Sequence, residues 1–277
     1  MAFVQQFLSL DNGVTLPYVE QGDPSALPVL LLHGFGDSWQ SFQRVLPHLP
    51  ASVRALALTQ RGHGDASRPA AGYSVNDFAD DLAAFLEALD LGPSVIMGHS
   101  MGSAVALRFA IDHPDRTAGL VLAGASPTMT GTAAARAFWD STVSKLTDPV
   151  DENLVRGMTE SMLAKPVPQA FVETAVQEGC KVPAHVWRAA FQSRWNREGD
   201  FSGQLGVISA PTVIVWGDHD ARYTRVDEEV LASAISGSRL IVYQGAGHLL
   251  HWEEPERFAF DLAAFVQSLR PARKRSE

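Results

Sequence analysis

The stretch Gly98-His99-Ser100-Met101-Gly102 sets a serine between glycines two positions to either side. A serine hydroxyl reacts as a nucleophile only with a base for its proton, a group orienting that base, and N–H donors for the oxyanion. Candidates for these roles lie far along the chain. Of the nine histidines, His48, His63 and His113 sit in loop or helix-end contexts that suit ordinary polar residues. His248, in GAGHLLH, is flanked by small residues, and His251 follows three positions later. Asp218 and Asp220, in VIVWGDHD, are the acid candidates.

The elements around these residues discriminate among them. Residues 95–97 read as a buried strand and 101–113 as a helix closed by Pro114, so Ser100 occupies a sharp strand-to-helix turn. Any glycine-rich turn can match the pattern, but this context holds a serine out to react, with the helix N-terminus beside it. Residues 211–217 and 239–245 are further apolar runs, which puts Asp218, Asp220 and His248 just past strand ends. In a parallel sheet that edge carries the chemistry. His251 already belongs to the segment leading into the last helix, so His248 is the better base. Asp218 directly follows the Gly217 turn and suits a loop cap; Asp220, further out, has more freedom to reach His248.

Strands also read at 28–36, 53–64 and 118–124, a hairpin at 3–8 and 15–20 around Asp11-Asn12-Gly13, and a short helical stretch at 38–46. Phe78, Leu82, Phe85 and Leu89 mark a helix opening at Ser74, and 227–235 and 255–269 read as the last two helices. Strands alternating with helices predict a mostly parallel sheet, about eight-stranded, with helices on both faces. From 126 to 208 the alternation stops and four amphipathic faces follow. One holds Phe138, Trp139, Thr142, Val143 and Leu146. Another holds Trp187, Phe191 and Trp195 at i, i+4 and i+8. An insertion this long is seldom a linker.

The 277 residues carry a net charge of −9, 46% hydrophobic and 19% charged side chains. This is an ordinary globular composition, and its acidic balance argues against nucleic acid as partner. A lone cysteine excludes an intrachain disulfide and a zinc-like cysteine cluster, and the histidines and carboxylates of GDHD and HLLH, which could suggest a metal site, lack a fuller ligand set. The opening residues lack the basic and apolar regions of a signal peptide, and no apolar run is long enough to span a membrane. The expectation is a cytoplasmic protein, a monomer or homodimer, acting on a small molecule.

The motifs LLLHGFGDSWQSF, LTQRGHGDASRP, GHSMGSAVA, VIVWGDHDARY and GAGHLLHWEEPERFAFDLAAFV resemble, in this order, those of the α/β-hydrolase superfamily, in its capped esterase and lactonase branch. The match spans about residues 10–270. The resemblance implies a core of 1–125 and 209–277, with 126–208 as a helical cap inserted after the sixth strand. It also implies a triad of Ser100, Asp220 and His248 in the family's chain order. Backbone N–H groups of Phe35 and Met101 would form the oxyanion hole, with His33 structural and His99 packed beneath the turn. Phe138, Trp139, Trp187 and Phe191 are candidates for a substrate pocket, though amphipathic helices use such residues to pack as well.

Thr59, where many relatives have Asp, and Ser103, where they have Gly or Ala, depart from the pattern. A serine at the nucleophile position argues against dehalogenase or epoxide hydrolase chemistry. The activity implied is hydrolysis of small to medium carboxylic esters or lactones, with no cofactor and no metal. The same elbow serves C–C bond hydrolases, cofactor-free perhydrolases and ligand-sensing relatives that turn over slowly.

Overall fold

The computed structural model describes residues 3–128, 133–195 and 199–269. The chain opens with a hairpin, β1 (Gln6–Ser9) and β2 (Thr15–Gln21), followed by β3 (Pro28–Leu32) and β4 (Arg54–Leu58). Then come helix α1 (Val75–Ala88), β5 (Ser94–His99), helix α2 (Met101–Asp112) and β6 (Thr117–Ala123). Four helices follow: α3 (Ala133–Ser141), α4 (Glu152–Glu160), α5 (Gln169–Cys180) and α6 (Ala184–Trp195). The chain closes with β7 (Thr212–Gly217), α7 (Arg225–Ala234), β8 (Arg239–Tyr243), the short α8 (Leu250–Glu253) and α9 (Pro255–Ser268).

The strands form one eight-stranded sheet ordered β1-β2-β4-β3-β5-β6-β7-β8. Only the β1–β2 and β2–β4 pairs are antiparallel; the pairs from β4 through β8 are parallel. Side chains alternate across a strand, and here they feed two separate cores. Leu30, Leu32, Ile96, Leu120 and Ile214 pack with α1, α2 and Leu231 of α7. Val29, Leu31, Val95, Met97, Val121 and Val213 face the other way, against Phe258, Leu262 and Phe265 of α9. Both faces are therefore covered, which is why these strands read as continuous apolar runs.

Several boundaries differ from the sequence reading. The first strand begins at Gln6 rather than at 3, and the runs read at 28–36, 53–64 and 239–245 leave the sheet at Leu32, Leu58 and Tyr243, where loops take over. Residues 38–46 form no continuous helix but two short 3₁₀ turns, Trp39–Phe42 and Leu46–His48, the first capped by the Ser38 hydroxyl. Helix α7 starts at Arg225 rather than at 227, because the Thr224 and Asp227 side chains close a capping box. The face drawn through Phe138 and Leu146 is broken: α3 ends at Ser141, and Thr142, at φ −130° and ψ −69°, leads into a 3₁₀ turn.

The β5–α2 turn is set by close backbone approach. A Cβ at Gly98 would overlap the Gly102 carbonyl, and one at Gly102 would overlap the Leu32 carbonyl of the neighbouring strand. Ser100 between them takes φ 51° and ψ −113°. At the end of β6, the Ala125 N–H donates to Glu228 Oε1 of α7 at 2.9 Å. Glu228 is fully buried. Burial pushes its carboxyl up to about 9, with nearby Asp220 and Asp227 adding to the shift and the Ala125 bond opposing it.

Gly98→Ala should lower stability by about 3 kcal/mol or more, because backbone atoms must move apart; equilibrium urea unfolding checks this. Glu228 keeps a proton in the native state that the unfolded chain releases above about pH 4.5. Stability should therefore fall as pH rises from about 5 to 9, by at most about 1.4 kcal/mol per unit from this group. In Glu228→Gln that component is absent, so unfolding measured at pH 5, 7 and 9 should show the variant gaining on the wild type as pH rises.

Candidate active site

Ser100 rides the elbow described above, its N–H donating to the Ala123 carbonyl at 3.0 Å. Its own carbonyl accepts from the Ser103 N–H at 3.0 Å and from the Ser103 hydroxyl at 2.5 Å. Ser103, a departure from the family pattern, thus adds a bond to the turn. Thr59, the other departure, accepts the Trp39 N–H at 3.1 Å.

His248 and Asp220 meet at the ends of β8 and β7. His248 Nδ1 lies 2.8 Å from Asp220 Oδ2, and the two side chains are 2% and 0% exposed. Asp220 Oδ1 accepts the N–H groups of Arg222 and Tyr223, at 2.6 and 3.0 Å. Burial alone would raise the Asp220 carboxyl, but the His248 ring and these N–H donors outweigh it and hold it below the ordinary carboxylate range. A carboxylate in this position fixes the imidazole tautomer with its proton on Nδ1, leaving Nε2 basic. The His248 N–H donates to the Met162 carbonyl at 3.0 Å, so the chain between α4 and α5 holds the histidine's backbone. Glu253 secures the same region, accepting from Gly247 N–H at 2.8 Å and Ala164 N–H at 2.6 Å.

The alternative residues are engaged elsewhere. Asp218 Oδ1 accepts the Gly245 N–H at 2.5 Å, a loop cap. His251 is fully buried, its Nε2 3.1 Å from the Ser41 hydroxyl. Burial and the neighbouring histidines hold it well below the ordinary imidazole range. His99 lies between the two, with ring centroids 4.9 Å from His248 and 4.4 Å from His251. Its Nε2–H donates to the His248 carbonyl at 3.0 Å. Burial, with the His248 charge, pushes His99 down to about 3, so it stays neutral. His33 is likewise fixed in the core, its Nδ1 2.7 Å from the Gly34 carbonyl and its Nε2 accepting Gln60 N–H at 3.0 Å.

Ser100 and His248 open on one cavity of about 410 Å³. Phe35 and Met101 line it too, and Met101, as first residue of α2, has an N–H with no intrahelical acceptor. Phe138, Trp187 and Phe191 are on its wall. Trp139 is not: it stacks on Phe191, centroids 6.3 Å apart and planes 20° from parallel. Trp187 packs edge-on to Phe35 at 4.6 Å, tying α6 to the loop after β3. The Trp195 side chain lies outside what is described.

Several wall residues escaped the sequence reading. Tyr223 stands edge-on to His248, centroids 5.4 Å apart, and Met158 and Met162 contribute apolar surface. Asp37 also lines the cavity; burial pushes its carboxyl up to about 8, the Ser41 hydroxyl bond opposing this and the Glu178 charge adding to it. On α6 the wall is Trp187, Ala190, Phe191 and Arg194, spaced i, i+3, i+4 and i+7. That spacing was the signal for Arg194. Among the described residues, no group of three or more His, Cys, Asp or Glu is arranged to hold a metal, and no helix is long and apolar enough to cross a membrane.

Known proteins share this arrangement of elements. A Klebsiella pneumoniae 2-hydroxy-6-oxononadienedioate/2-hydroxy-6-oxononatrienedioate hydrolase is 28% identical, with 93% of each chain covered. A non-heme chloroperoxidase of Streptomyces lividans is 27% identical over 94% of this chain and 99% of its own. Among solved structures, an N-acyl homoserine lactone degrading enzyme superposes with a TM-score of 0.79 at 26% identity, covering 94% of this chain and 100% of the other. An Exiguobacterium antarcticum esterase superposes at 0.85 with 24% identity, covering 95% and 100%, a likeness of fold alone. Residues 28–255 match the alpha/beta hydrolase fold family, and the chain belongs to that family of hydrolases.

Proposed function

We propose that the protein hydrolyses small to medium carboxylic esters or lactones through an acyl-enzyme on Ser100. The observation that carries this is the buried Asp220–His248 bond, 2.8 Å long, at the wall of a cavity that Ser100 also lines. His248 Nε2 takes the Ser100 proton as the oxygen attacks the carbonyl carbon. Asp220 keeps the ring oriented and compensates the imidazolium. The Phe35 and Met101 N–H groups receive the oxyanion. The C–O bond then breaks, His248 returns the proton to the leaving alcohol, and water, deprotonated by the same histidine, releases the acid.

Helices α3–α6, within 126–208, act as the cap. They supply Phe138, Met158, Trp187 and Phe191 to the wall, and Met162 holds the His248 backbone. A cavity of about 410 Å³ is at the small end of ligand sites, which favours compact acyl and alcohol groups. The 28% identity to the Klebsiella enzyme supports a second reading, C–C bond hydrolysis by the same three residues.

Steady-state assays on short p-nitrophenyl esters, simple lactones and a 2-hydroxy-6-oxo-dienoate separate the two readings. The ester reading expects repeated turnover of the first two classes, and Ser100→Ala should remove about 10⁶-fold of kcat. Asp220→Asn should cost about 10⁴-fold, whereas Asp218→Asn, which disturbs only a loop cap, should cost less than about tenfold. A larger loss at Asp218 overturns the assignment of the acid, and full activity of Ser100→Ala overturns the mechanism.

A further inference from the structure

Arg194 is 5% exposed and lines the cavity that holds Ser100 and His248. An arginine stays charged in a protein, and a buried charge is costly unless paired. Among the described residues it makes no ion pair. Its Nη1 donates to the Gly199 carbonyl at 3.3 Å, and its Cζ lies 5.9 Å from the Phe201 ring centre. Nε and Nη2 are buried with no hydrogen-bond partner. These two nitrogens share one edge of the planar guanidinium, and their N–H bonds form the fork that accepts a carboxylate through both oxygens.

The surroundings hold the fork in place and, among the described residues, leave it without an internal counter-charge. Ser193, the preceding residue, accepts the Val75 N–H at 2.8 Å in a buried contact, fixing the end of α6 to the start of α1. Asp37, on the same cavity, is held protonated by burial at neutral pH. Asp227 is turned to its own helix start, accepting the Thr224 N–H and hydroxyl at 2.8 and 2.7 Å. Asp220 is committed to His248. Two turns before Arg194 on the same face, Trp187 Nε1 is a further buried donor with no partner. This wall of α6 thus offers donors and a positive charge to whatever fills the cavity, with apolar Ala190 and Phe191 between them.

We propose that Arg194 reads a free carboxylate on the substrate, so that the preferred ester or lactone carries a second, unesterified acid group. This deepens the reading of the cavity as the reaction site and rests on it. Arg194 binds the anionic end while the scissile carbonyl lies at Ser100, so the apolar span of the cavity sets the distance between the two.

The test compares mono-p-nitrophenyl glutarate with its methyl-capped diester. The wild type should prefer the free acid by about tenfold or more in kcat/KM, and in Arg194→Met that ratio should fall to about one. Arg194→Lys, which keeps the charge but loses the fork, should fall between them. A second measurement needs no turnover: monomethyl glutarate should raise the Tm of Ser100→Ala, dimethyl glutarate should not, and Arg194→Met in the same background should lose the shift. No preference in the wild type, or a preference that survives in Arg194→Met, overturns the proposal. Ser100-dependent hydrolysis without that preference overturns it and leaves the hydrolase reading standing. A carboxylate-specific Tm shift with no ester turnover supports the anion site while removing the hydrolase reading.

Discussion

A serine at φ 51° and ψ −113° is costly backbone, of order 1–3 kcal/mol, and persists only where the surroundings over-determine it. Here the surroundings are main chain. The strand β5 must pass directly into α2 with Gly98 against the Gly102 carbonyl and Gly102 against the Leu32 carbonyl. That contact is available only because β3 and β5 are adjacent and parallel in the sheet. Hydrogen bonds from Ser100 N–H to Ala123 and from Ser103 to the Ser100 carbonyl complete the restraint. The position of the Ser100 side chain is therefore set by the centre of the sheet, where little can move.

The partner residues obey a softer constraint. Asp220 and His248 come from loops after β7 and β8, and each is held by hydrogen bonds to neighbouring main chain. Asp220 takes two N–H groups from the next turn. His248 is held from both sides of its own backbone, its carbonyl by His99 and its N–H by Met162. The second contact comes from the segment between α4 and α5, so the helices between β6 and β7 and His248 are mechanically joined. The row of buried imidazoles, His248, His99 and His251, ends on Ser41, which also accepts the Trp252 indole N–H at 2.9 Å. Charge on any inner ring would be unpaired, and burial keeps His99 and His251 neutral.

Much of this was legible in the chain. Apolar runs betrayed the doubly covered strands, and the position of each candidate just past a strand end placed Ser100, Asp220 and His248 on one edge. The separation of Asp220 from Asp218 was legible as well, because a residue next to the Gly217 turn is drawn into capping it. What escaped was whatever depended on which way a helix faces. The Trp187, Phe191 and Trp195 spacing identifies an amphipathic α6 but cannot tell a packed face from a cavity face, and the wall adds Ala190 and Arg194 to Trp187 and Phe191. Trp139 was grouped with Phe138 by neighbourhood alone, and it stacks on Phe191 without reaching the wall. Short-range capping decided the boundaries that were misread, as at Thr224.

The central claim is that Ser100 is a nucleophile made reactive by His248. Treatment of the protein with a fluorophosphonate, followed by intact mass and peptide mapping, tests it most directly, since the reagent phosphonylates only an activated serine. The account expects one stoichiometric adduct on the peptide containing Ser100, with fluoride leaving, and loss of labelling in His248→Ala. Absence of an adduct, labelling of a different serine, or undiminished labelling in His248→Ala would contradict it.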